Sequence, residues 1–244
     1  LLSQEKTMKI KILAYIFSLF ILGSAYADNH QAPQARYILN IQNFTTDMSS
    51  VLATQKAFAD SGALSERQVG MTVYQINAGG RDGANVAINF FYSDAASMPP
   101  PNAMIQSDAH VKAFMQNNGD DSWVAKGSSI YENIHQVGNL TADTRVFQGA
   151  SIKALSPEYG EKLKAFLAET AVEGVPYGIQ RVVIGGYEGE THRIWWGFNS
   201  QAEMLNNYEN NNDRFTKAQT RFSANDREII RTWVATSLLA AMPE

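Results

Sequence analysis

The sequence predicts a mixed α+β fold made of two successive units with the element order βαββαβ. Two observations support this prediction. The segment 89–98 aligns with the segment 195–204 at an offset of 106 residues, with aromatic and small residues at matching positions. At the same offset the glycine pair 79–80 falls on the pair 185–186, in both cases before an apolar run. Self-similarity at a fixed spacing is typical of a duplicated unit, so the two halves are expected to share one architecture.

In the first half, period-two alternation predicts strands, and apolar spacings of three and four residues predict helices. The predicted elements are a strand at 37–43, a helix at 48–60 ended by Gly62, strands at 69–76 and 85–92, a helix at 108–116 and a strand at 128–137. The glycine-rich turn at 79–83 is short, which predicts a β-hairpin. On the second helix, Val111, Phe114 and Met115 are expected to form the apolar face.

The second half repeats this order of elements. The predicted elements are a strand at 145–152, a helix capped by Ser156, strands at 178–184 and 192–198, a helix at 201–221 and a strand at 228–237. The first of these helices has an apolar stripe formed by Tyr159, Leu163, Phe166 and Leu167. The asparagine-rich stretch 206–213 is expected to interrupt the second helix. The last segment also fits helical spacing, and the repeat favours a strand there.

Within about 100 residues, the order βαββαβ is the ferredoxin-like arrangement, in which both helices cover one face of an antiparallel sheet. The first repeat is assigned to 36–140 and the second to 144–239. The open sheet faces must be buried, and two copies in one chain can pack sheet to sheet. By its element order and patterning from Arg36 to Leu239, the chain resembles the dimeric α+β barrel superfamily, which contains the antibiotic-biosynthesis monooxygenase-like proteins. The resemblance implies the fold rather than an activity.

The N-terminal segment 8–27 is predicted to be a cleavable signal peptide. Two lysines follow Met8, an apolar stretch runs from 12 to 22, and Ala25-Tyr26-Ala27 supplies a small-x-small cleavage pattern. The apolar run is shorter than the roughly 20 residues that a membrane-spanning helix needs. We therefore expect translation from Met8, a linker at 28–35, and an exported protein, periplasmic or secreted and of bacterial type, that is not held in a membrane after cleavage.

Composition excludes several classes of function. The chain has no cysteine, so disulfides, thiolate metal sites and cysteine nucleophiles are ruled out. Removing Lys6, Lys9, Lys11 and Glu5 from the totals of 20 basic and 24 acidic residues leaves 17 and 23, a net charge near −6. Nucleic acid and anionic membrane surfaces are therefore poor partners. The charged run 221–231 contains both signs and is interpreted as a solvated surface.

Strand alternation sorts the residues of each sheet into two faces. Val86, Ile88, Phe90 and Tyr92, with their counterparts on the 192–198 strand, are expected to meet the helices. The opposite face would line the space between the sheets, where buried polar groups must bond one another, hold water or bind a ligand. The candidate ligand-binding residues on that face are Asn40, Asn89, His135, Arg181, Arg193 and Trp195. Gln75 is assigned to the same face.

No motif establishes a reaction. The four histidines lack the paired spacing of a zinc site, so no metal is expected. The glycine pairs lack the lysine and helix of a phosphate loop and are interpreted as hairpin turns, while Glu188 and Glu190 are expected to be solvated. Exported tandem ferredoxin-like proteins include the chlorite dismutase-like family, whose haem iron is held by one histidine. No surrounding motif carries that role to His135 or His192, so no cofactor is predicted.

Three hypotheses for the function follow. The leading one is an exported protein that binds a small apolar or aromatic molecule between its sheets, with Arg193 available for a carboxylate and Trp195 for an apolar ring. The second is a cofactor-independent oxygenase or isomerase of the α+β barrel superfamily, which requires a histidine or tyrosine bonded to a buried polar partner. The third is a structural or interaction module of the cell envelope. At this point the ligand, the oligomeric state and whether the chain is an enzyme are open.

Overall fold

A computed structural model describes residues 35–99, 103, 106–117, 123–210 and 213–242. The predicted signal peptide and nearly all of the predicted linker lie outside these residues. Among the described residues, no helix is both long enough and apolar enough to cross a membrane.

The described residues form eight strands and five α-helices. In chain order they are β1 (Tyr37–Thr45), α1 (Met48–Asp60), β2 (Gly70–Ala78), β3 (Val86–Tyr92), α2 (Asp108–Asn117), β4 (Trp123–Val137), β5 (Val146–Ala154), α3 (Tyr159–Glu169), β6 (Tyr177–Ile184), β7 (His192–Phe198), α4 (Gln201–Asn210), α5 (Asp213–Arg221) and β8 (Arg227–Ala241). The order of elements matches the prediction. The region 201–221 contains two helices, on either side of residues 211–212, which lie outside the described part.

The eight strands form a closed antiparallel barrel with the order β1-β3-β2-β8-β5-β7-β6-β4, in which β4 pairs again with β1. Strands β1–β4 and β5–β8 each follow the ferredoxin-like order, and the two groups join through the pairs β2–β8 and β4–β6. The predicted α+β class and the enclosure of both open sheet faces agree with this architecture. The two sheets meet edge to edge in one barrel, however, and not as two stacked layers.

The two longest strands, β4 and β8, have 15 residues each and connect the halves. In β8, residues 227–236 pair with β5, whereas residues 234–241 pair with β2. The strand predicted at the end of the chain is therefore confirmed over the helical alternative. The predicted range 228–237 is too short, because the residues that pair with the other half have no sequence signal of their own.

Helices cover the outer face of the barrel. In the first half, Val51 and Phe58 of α1 belong to one cluster with Val86, Ile88 and Phe90 of β3, and each of these residues is at most 1% exposed. This confirms the face of β3 that was expected to meet the helices. Burying such side chains against one another is the main stabilising contribution of this layer, at about 1.5–3 kcal/mol for each large side chain.

The second half has an equivalent layer under α3. The predicted apolar stripe of this helix is buried, and it packs with Ile152, Ile179, Ile194 and Phe222. Ser156 is not the cap of α3, which corrects the prediction. The helix begins at Tyr159, and Glu158 in the capping position makes no side-chain bond to the backbone.

The apolar face predicted for α2 is wrong. Val111 and Met115 are 46% and 73% exposed, whereas His110 and Ala113 are only 4% and 3% exposed. His110 lies in the core because its Nε2 is 2.9 Å from Nε2 of the buried Gln55 of α1. A hydrogen bond between two helices thus decides which side of α2 faces inward, and no apolar pattern could reveal it.

A carboxylate organises the turn between α5 and β8. Asp226 accepts hydrogen bonds from Nζ of Lys162 at 2.8 Å, and from the hydroxyl and the backbone N–H of Ser223 at 2.8 and 3.0 Å. These bonds, led by that of Lys162, lower the pKa of Asp226 to about 2. The carboxylate therefore stabilises the fold fully above its unfolded pKa near 3.8, and the contribution is lost as the pH falls towards 2.

We predict that Asp226→Asn lowers the free energy of unfolding at pH 7, and that the difference from the wild type shrinks as the pH falls through 2 and is absent below it. Titration of the Asp226 carboxyl carbon by NMR should give a midpoint near 2. Asp60→Asn, which removes the exposed Lys56–Asp60 pair within α1, is the control with the same change of charge. A midpoint near 3.8 for Asp226 would show that the turn does not hold its carboxylate.

Candidate functional site in the barrel interior

Many polar and aromatic side chains lie on the inner face of the barrel, opposite the helix-covered face. The strand register places them there because each is paired with another inward-facing position on the neighbouring strand. This inner set includes Asn40, Gln42, Thr72, Tyr74, Asn89, Ser129, Tyr131, Phe147, Ser151, Gln180, Arg193, Trp195 and Trp233. A closed barrel excludes bulk water, so these groups must find partners within it.

The structure places Asn40, Asn89, Arg193 and Trp195, four of the six predicted candidates, on this inner face. It places the other two, Arg181 and His135, on the outer face, which corrects the predicted alternation. Arg181 is opposite His192 and donates a hydrogen bond to Glu132, while the His135 ring lies 6.0 Å from that of Tyr177 in the layer under α3. A register shift in β4 between residues 133 and 135 changes the alternation there.

Gln75 is also outside the barrel, contrary to the prediction. It is exposed and pairs with Val86, whose side chain faces the helices. Because His135 and Asn89 lie on different faces, one pocket touching both residues together with Arg193 and Trp195 does not form. A cavity of about 360 Å³ is instead found outside the barrel, between α1 and α2, where its lining includes Ala57, Ala109 and Lys112.

In the first half, the inner amides satisfy one another. Asn40 donates to the side-chain oxygen of Asn89 at 2.6 Å and accepts from Gln42 at 3.1 Å. The oxygen of Gln42 in turn accepts the backbone N–H of Arg81 at 3.0 Å. This half of the interior therefore behaves as an internally bonded polar core, the alternative to ligand binding that the sequence left open.

In the second half, a buried ion pair between Arg193 and Glu190 satisfies the hydrogen bonds of the inward-facing Tyr131 hydroxyl. Nε of Arg193 donates to Oε1 of Glu190 at 3.3 Å, and the Arg193 guanidinium also donates to the hydroxyl of Tyr131. Oε2 of Glu190 accepts the Tyr131 hydroxyl at 3.3 Å and the backbone N–H of Tyr187 at 2.8 Å. Glu190 is only 6% exposed, so the expectation of a solvated loop carboxylate is wrong for this residue. Its spacing of three residues from Arg193 is the signal that could have indicated the pair.

The pKa values of Tyr131 and Arg193 are both raised inside the barrel. Burial raises the pKa of Tyr131 to about 12, although the Arg193 charge opposes the shift, so the phenol stays neutral. Burial by itself would lower the pKa of Arg193, but Tyr131 and Glu190 outweigh it and the pKa is raised. A charged arginine and carboxylate are tolerated inside the barrel because each has several hydrogen-bond partners.

Two tryptophans line the same half, each lying against a glycine. A Cβ atom added at Gly178 would come within 2.6 Å of the Trp195 indole, and one added at Gly149 within 2.6 Å of Trp233. The ring of Phe147 lies 6.1 Å from that of Trp195 and 5.4 Å from that of Tyr74. Without side chains at the two glycines, the strands leave room for flat aromatic walls inside the barrel.

Three hydrogen-bond donors on this part of the inner face have no partner. They are Nε1 of Trp195, Nε1 of Trp233 and the hydroxyl of Ser151, all of them buried. Buried indole N–H groups ordinarily find an acceptor. Sequence analysis identified Trp195 but missed Trp233 and Ser151, since a single unpaired donor has no signature in a sequence.

One end of the barrel is closed by the hairpins that follow β2 and β6. Tyr187 of the second hairpin has the guanidinium carbons of Arg81 and Arg231 at 5.7 and 4.8 Å from its ring centre. Its hydroxyl donates to the carbonyl of Gly79 at 3.3 Å. The glycine pairs are hairpin turns, as predicted. Arg231, assigned to a solvated charged run, instead lies beside Tyr187 and is partly buried, which corrects that interpretation.

The described residues do not form a metal site. They contain no group of three side chains of the types His, Asp and Glu that could hold a metal ion. His110 bonds Gln55, and Nδ1 of His192 is 2.9 Å from the hydroxyl of Thr191. The layer under α3 is filled by aromatic rings, with Phe222 5.4 Å from Tyr159 and 5.3 Å from Phe166. His192 therefore does not face a slot that a porphyrin could enter, whereas Nε2 of His135 is buried and has no hydrogen-bond partner.

Comparison with known proteins yields solved structures only. No protein-family model and no curated protein matches the chain. A proposed monooxygenase from Fusobacterium nucleatum is 13% identical with a TM-score of 0.53, and the match covers 86% of this chain and 96% of that one. A variant of chlorite dismutase from Candidatus Nitrospira defluvii is 12% identical with a TM-score of 0.53, covering 84% and 92%. A proposed monooxygenase from Lactobacillus acidophilus is 11% identical with a TM-score of 0.51, covering 85% and 96%.

At these identities the likeness concerns the fold. The matched proteins are monooxygenase-like and chlorite dismutase-like, and both kinds belong to the dimeric α+β barrel superfamily that the sequence resembles. The eight-stranded antiparallel barrel with its outer helices is thus a fold that this chain shares with the matched proteins.

Proposed function

We propose that this chain is an exported protein that binds a small planar molecule with an acceptor oxygen inside the second half of its barrel. The observation that carries the proposal is the set of three buried donors without partners, the indole N–H groups of Trp195 and Trp233 and the Ser151 hydroxyl. An unfilled buried donor costs about 1–3 kcal/mol. A ligand oxygen would remove that cost.

The shape and polarity of the surroundings support a flat ligand. Trp195, Trp233 and Phe147 provide aromatic surfaces, and Gly178 and Gly149 let the two indoles lie directly against the strands. Small-molecule sites typically combine apolar walls with a few polar groups that fix the orientation. The first half of the interior, whose amides bond one another, offers no such unfilled donors among the residues described above.

Export is the part of the proposal that rests on sequence alone. The signal peptide proposed at 8–27 would deliver the protein to the periplasm or the medium, so its ligand is sought there. The mass of the protein recovered from the periplasm of an expressing bacterium should correspond to a chain that begins at Asp28. Recovery of the uncleaved chain in the membrane fraction would contradict export as a soluble protein.

The binding site is tested through the indole N–H signals in a ¹H–¹⁵N NMR spectrum, with acetophenone as a neutral planar probe that has one acceptor oxygen. We expect the signals of Trp195 and Trp233 to shift on titration, while that of Trp196 does not, since Trp196 lies on the outer face of the same strand. Trp195→Phe should weaken binding by about tenfold, the loss expected for one buried hydrogen bond.

Trp196→Phe is the matched control, because it makes the same chemical change on the other face of β7. Equal effects of Trp195→Phe and Trp196→Phe, or shifts confined to Trp196, would contradict an interior site. Spectra that do not change with acetophenone would mean that internal water, and not a ligand, satisfies the three donors. This result would overturn the proposal.

A second candidate function is a cofactor-independent oxygenase or isomerase, and Tyr131 is the observation that favours it. Its phenol faces the barrel interior, donates a hydrogen bond to the Glu190 carboxylate and accepts one from Arg193. A substrate C–H proton could pass to the phenol oxygen while the phenol proton moves to Glu190. In an oxygenase, the resulting carbanion and dioxygen, with return of the proton, would give a hydroperoxide. Solved structures similar to this chain include proposed monooxygenases.

This candidate predicts dioxygen uptake with 2-indanone, a small planar ketone with an acidic C–H bond. Tyr131→Phe should lower the rate about 10²-fold, the smaller end of the range for proton-transfer catalysis. Tyr74→Phe is the control, because Tyr74 is also an inward-facing tyrosine whose burial raises its pKa to about 12. If no dioxygen is consumed, or if both variants behave alike, catalysis by Tyr131 is excluded and binding remains.

A further inference from the structure

Ser151 occupies a central position between two arginines. On the inner face of β5 it is in register with Arg193 of β7 on one side and with Arg231 of β8 on the other. Ser151 is fully buried, and its hydroxyl has no hydrogen-bond partner. A hydroxyl that has no acceptor and lies between two arginines is suited to an anionic acceptor.

The two arginines differ in how their charges are balanced. Arg193 is neutralised by the buried Glu190, with which it forms an ion pair at 3.3 Å. Arg231 donates to the carbonyl of Gly80 and lies 4.8 Å from the centre of the Tyr187 ring, and no ion pair links it to a carboxylate in the described part of the chain. Carbonyl and ring contacts orient the guanidinium but leave its charge uncompensated.

The neighbouring residues do not provide the missing negative charge. Arg81, on the other side of Tyr187, has its own contact with Asp82 at 4.0 Å, and Asp82 points into solvent with a side chain that is 76% exposed. The carboxylate of Glu190 is already occupied by donors from Arg193, Tyr131 and Tyr187. The hairpin end of the barrel therefore has a surplus of positive charge, and one of its arginines, Arg231, is in register with Ser151, whose hydroxyl is unfilled.

We propose that the ligand of the barrel is an aromatic carboxylate, whose carboxylate is held by Arg231 and Ser151 and whose ring lies against Trp233. This inference rests on the proposed binding function and gives its ligand a chemical class. Trp233 is on the same inner face as Arg231, two residues further along β8. One uncompensated arginine matches one negative charge, which favours a monoanionic carboxylate over a phosphate dianion.

The test compares two probes of nearly the same shape, benzoate and acetophenone, which differ in charge. Affinities are measured by the shifts of the Trp195 and Trp233 indole signals. Benzoate should bind the wild type at least about tenfold more tightly than acetophenone, in line with the strength of charge-assisted hydrogen bonds. Arg231→Gln should remove this preference.

Three further variants separate recognition from folding. Arg231→Lys retains the charge and should restore part of the preference for benzoate. Arg221→Gln, which removes an exposed arginine that pairs with Glu169 on the outer helices, should have no effect. Ser151→Ala should weaken benzoate by about tenfold while leaving the thermal stability unchanged or higher, because it deletes a buried donor that has no partner in the free protein.

The outcomes distinguish this inference from the function on which it rests. If both probes shift the indole signals of Trp195 and Trp233 and bind with equal affinity, binding in the barrel is supported and the proposal of an anionic ligand is overturned. If benzoate is preferred but Arg231→Gln does not change the preference, the assignment to Arg231 is overturned. If neither probe shifts the interior indoles, the proposed binding function itself fails.

Discussion

Closure of the barrel by β4 and β8 is the constraint on which the rest of the structure depends. A four-stranded ferredoxin-like sheet has two free edges and one uncovered face, and either is a liability in water. Each long strand pairs with its own half along one part and with the other half along the remainder. The same backbone bonds thereby remove the free edges and enclose both uncovered faces, so every inward-facing side chain must be satisfied without bulk solvent.

The two halves meet that requirement differently. The inward residues of the first half are short amides that bond one another, from Asn89 through Asn40 to Gln42. The equivalent space of the second half contains Arg193 and two indoles, and its charge is balanced by Glu190 from the hairpin rather than by a neighbouring strand. The two halves thus have the same strand topology but different inward-facing residues. The three unfilled donors of the barrel interior, on Ser151, Trp195 and Trp233, lie in the second half, which is why the proposed site lies there.

The sequence predicted the elements better than the site for physical reasons. Alternation and helical spacing act through burial of apolar side chains, so β3 and the stripe of α3 were predictable. His135 was assigned to the wrong face because a register shift in β4, which leaves no local pattern, changes which side chains point inward. Arg181 lies on β6, whose pairing with β7 has no shift, and its alternation was simply assigned to the wrong side. Glu190 was assigned to solvent because its partners Tyr131 and Arg193 converge only when β4 and β7 are brought together across β6.

The balance of charge decides where discrimination between ligands can arise. Inside the barrel, Arg193 and Glu190 cancel, and separating them would leave an uncompensated buried charge, so this pair is a fixed part of the scaffold. Arg231 is nearer the hairpins, and its contacts with Gly80 and Tyr187 leave its charge available. The indoles that lie over Gly149 and Gly178 would therefore select the shape of the ligand. Arg231, at the hairpin end, would select its charge. Tyr187 contacts Arg231 through its ring and Glu190 through its backbone N–H. The hairpin that contains Tyr187 therefore links the charge-selecting arginine to the fixed ion pair of the interior.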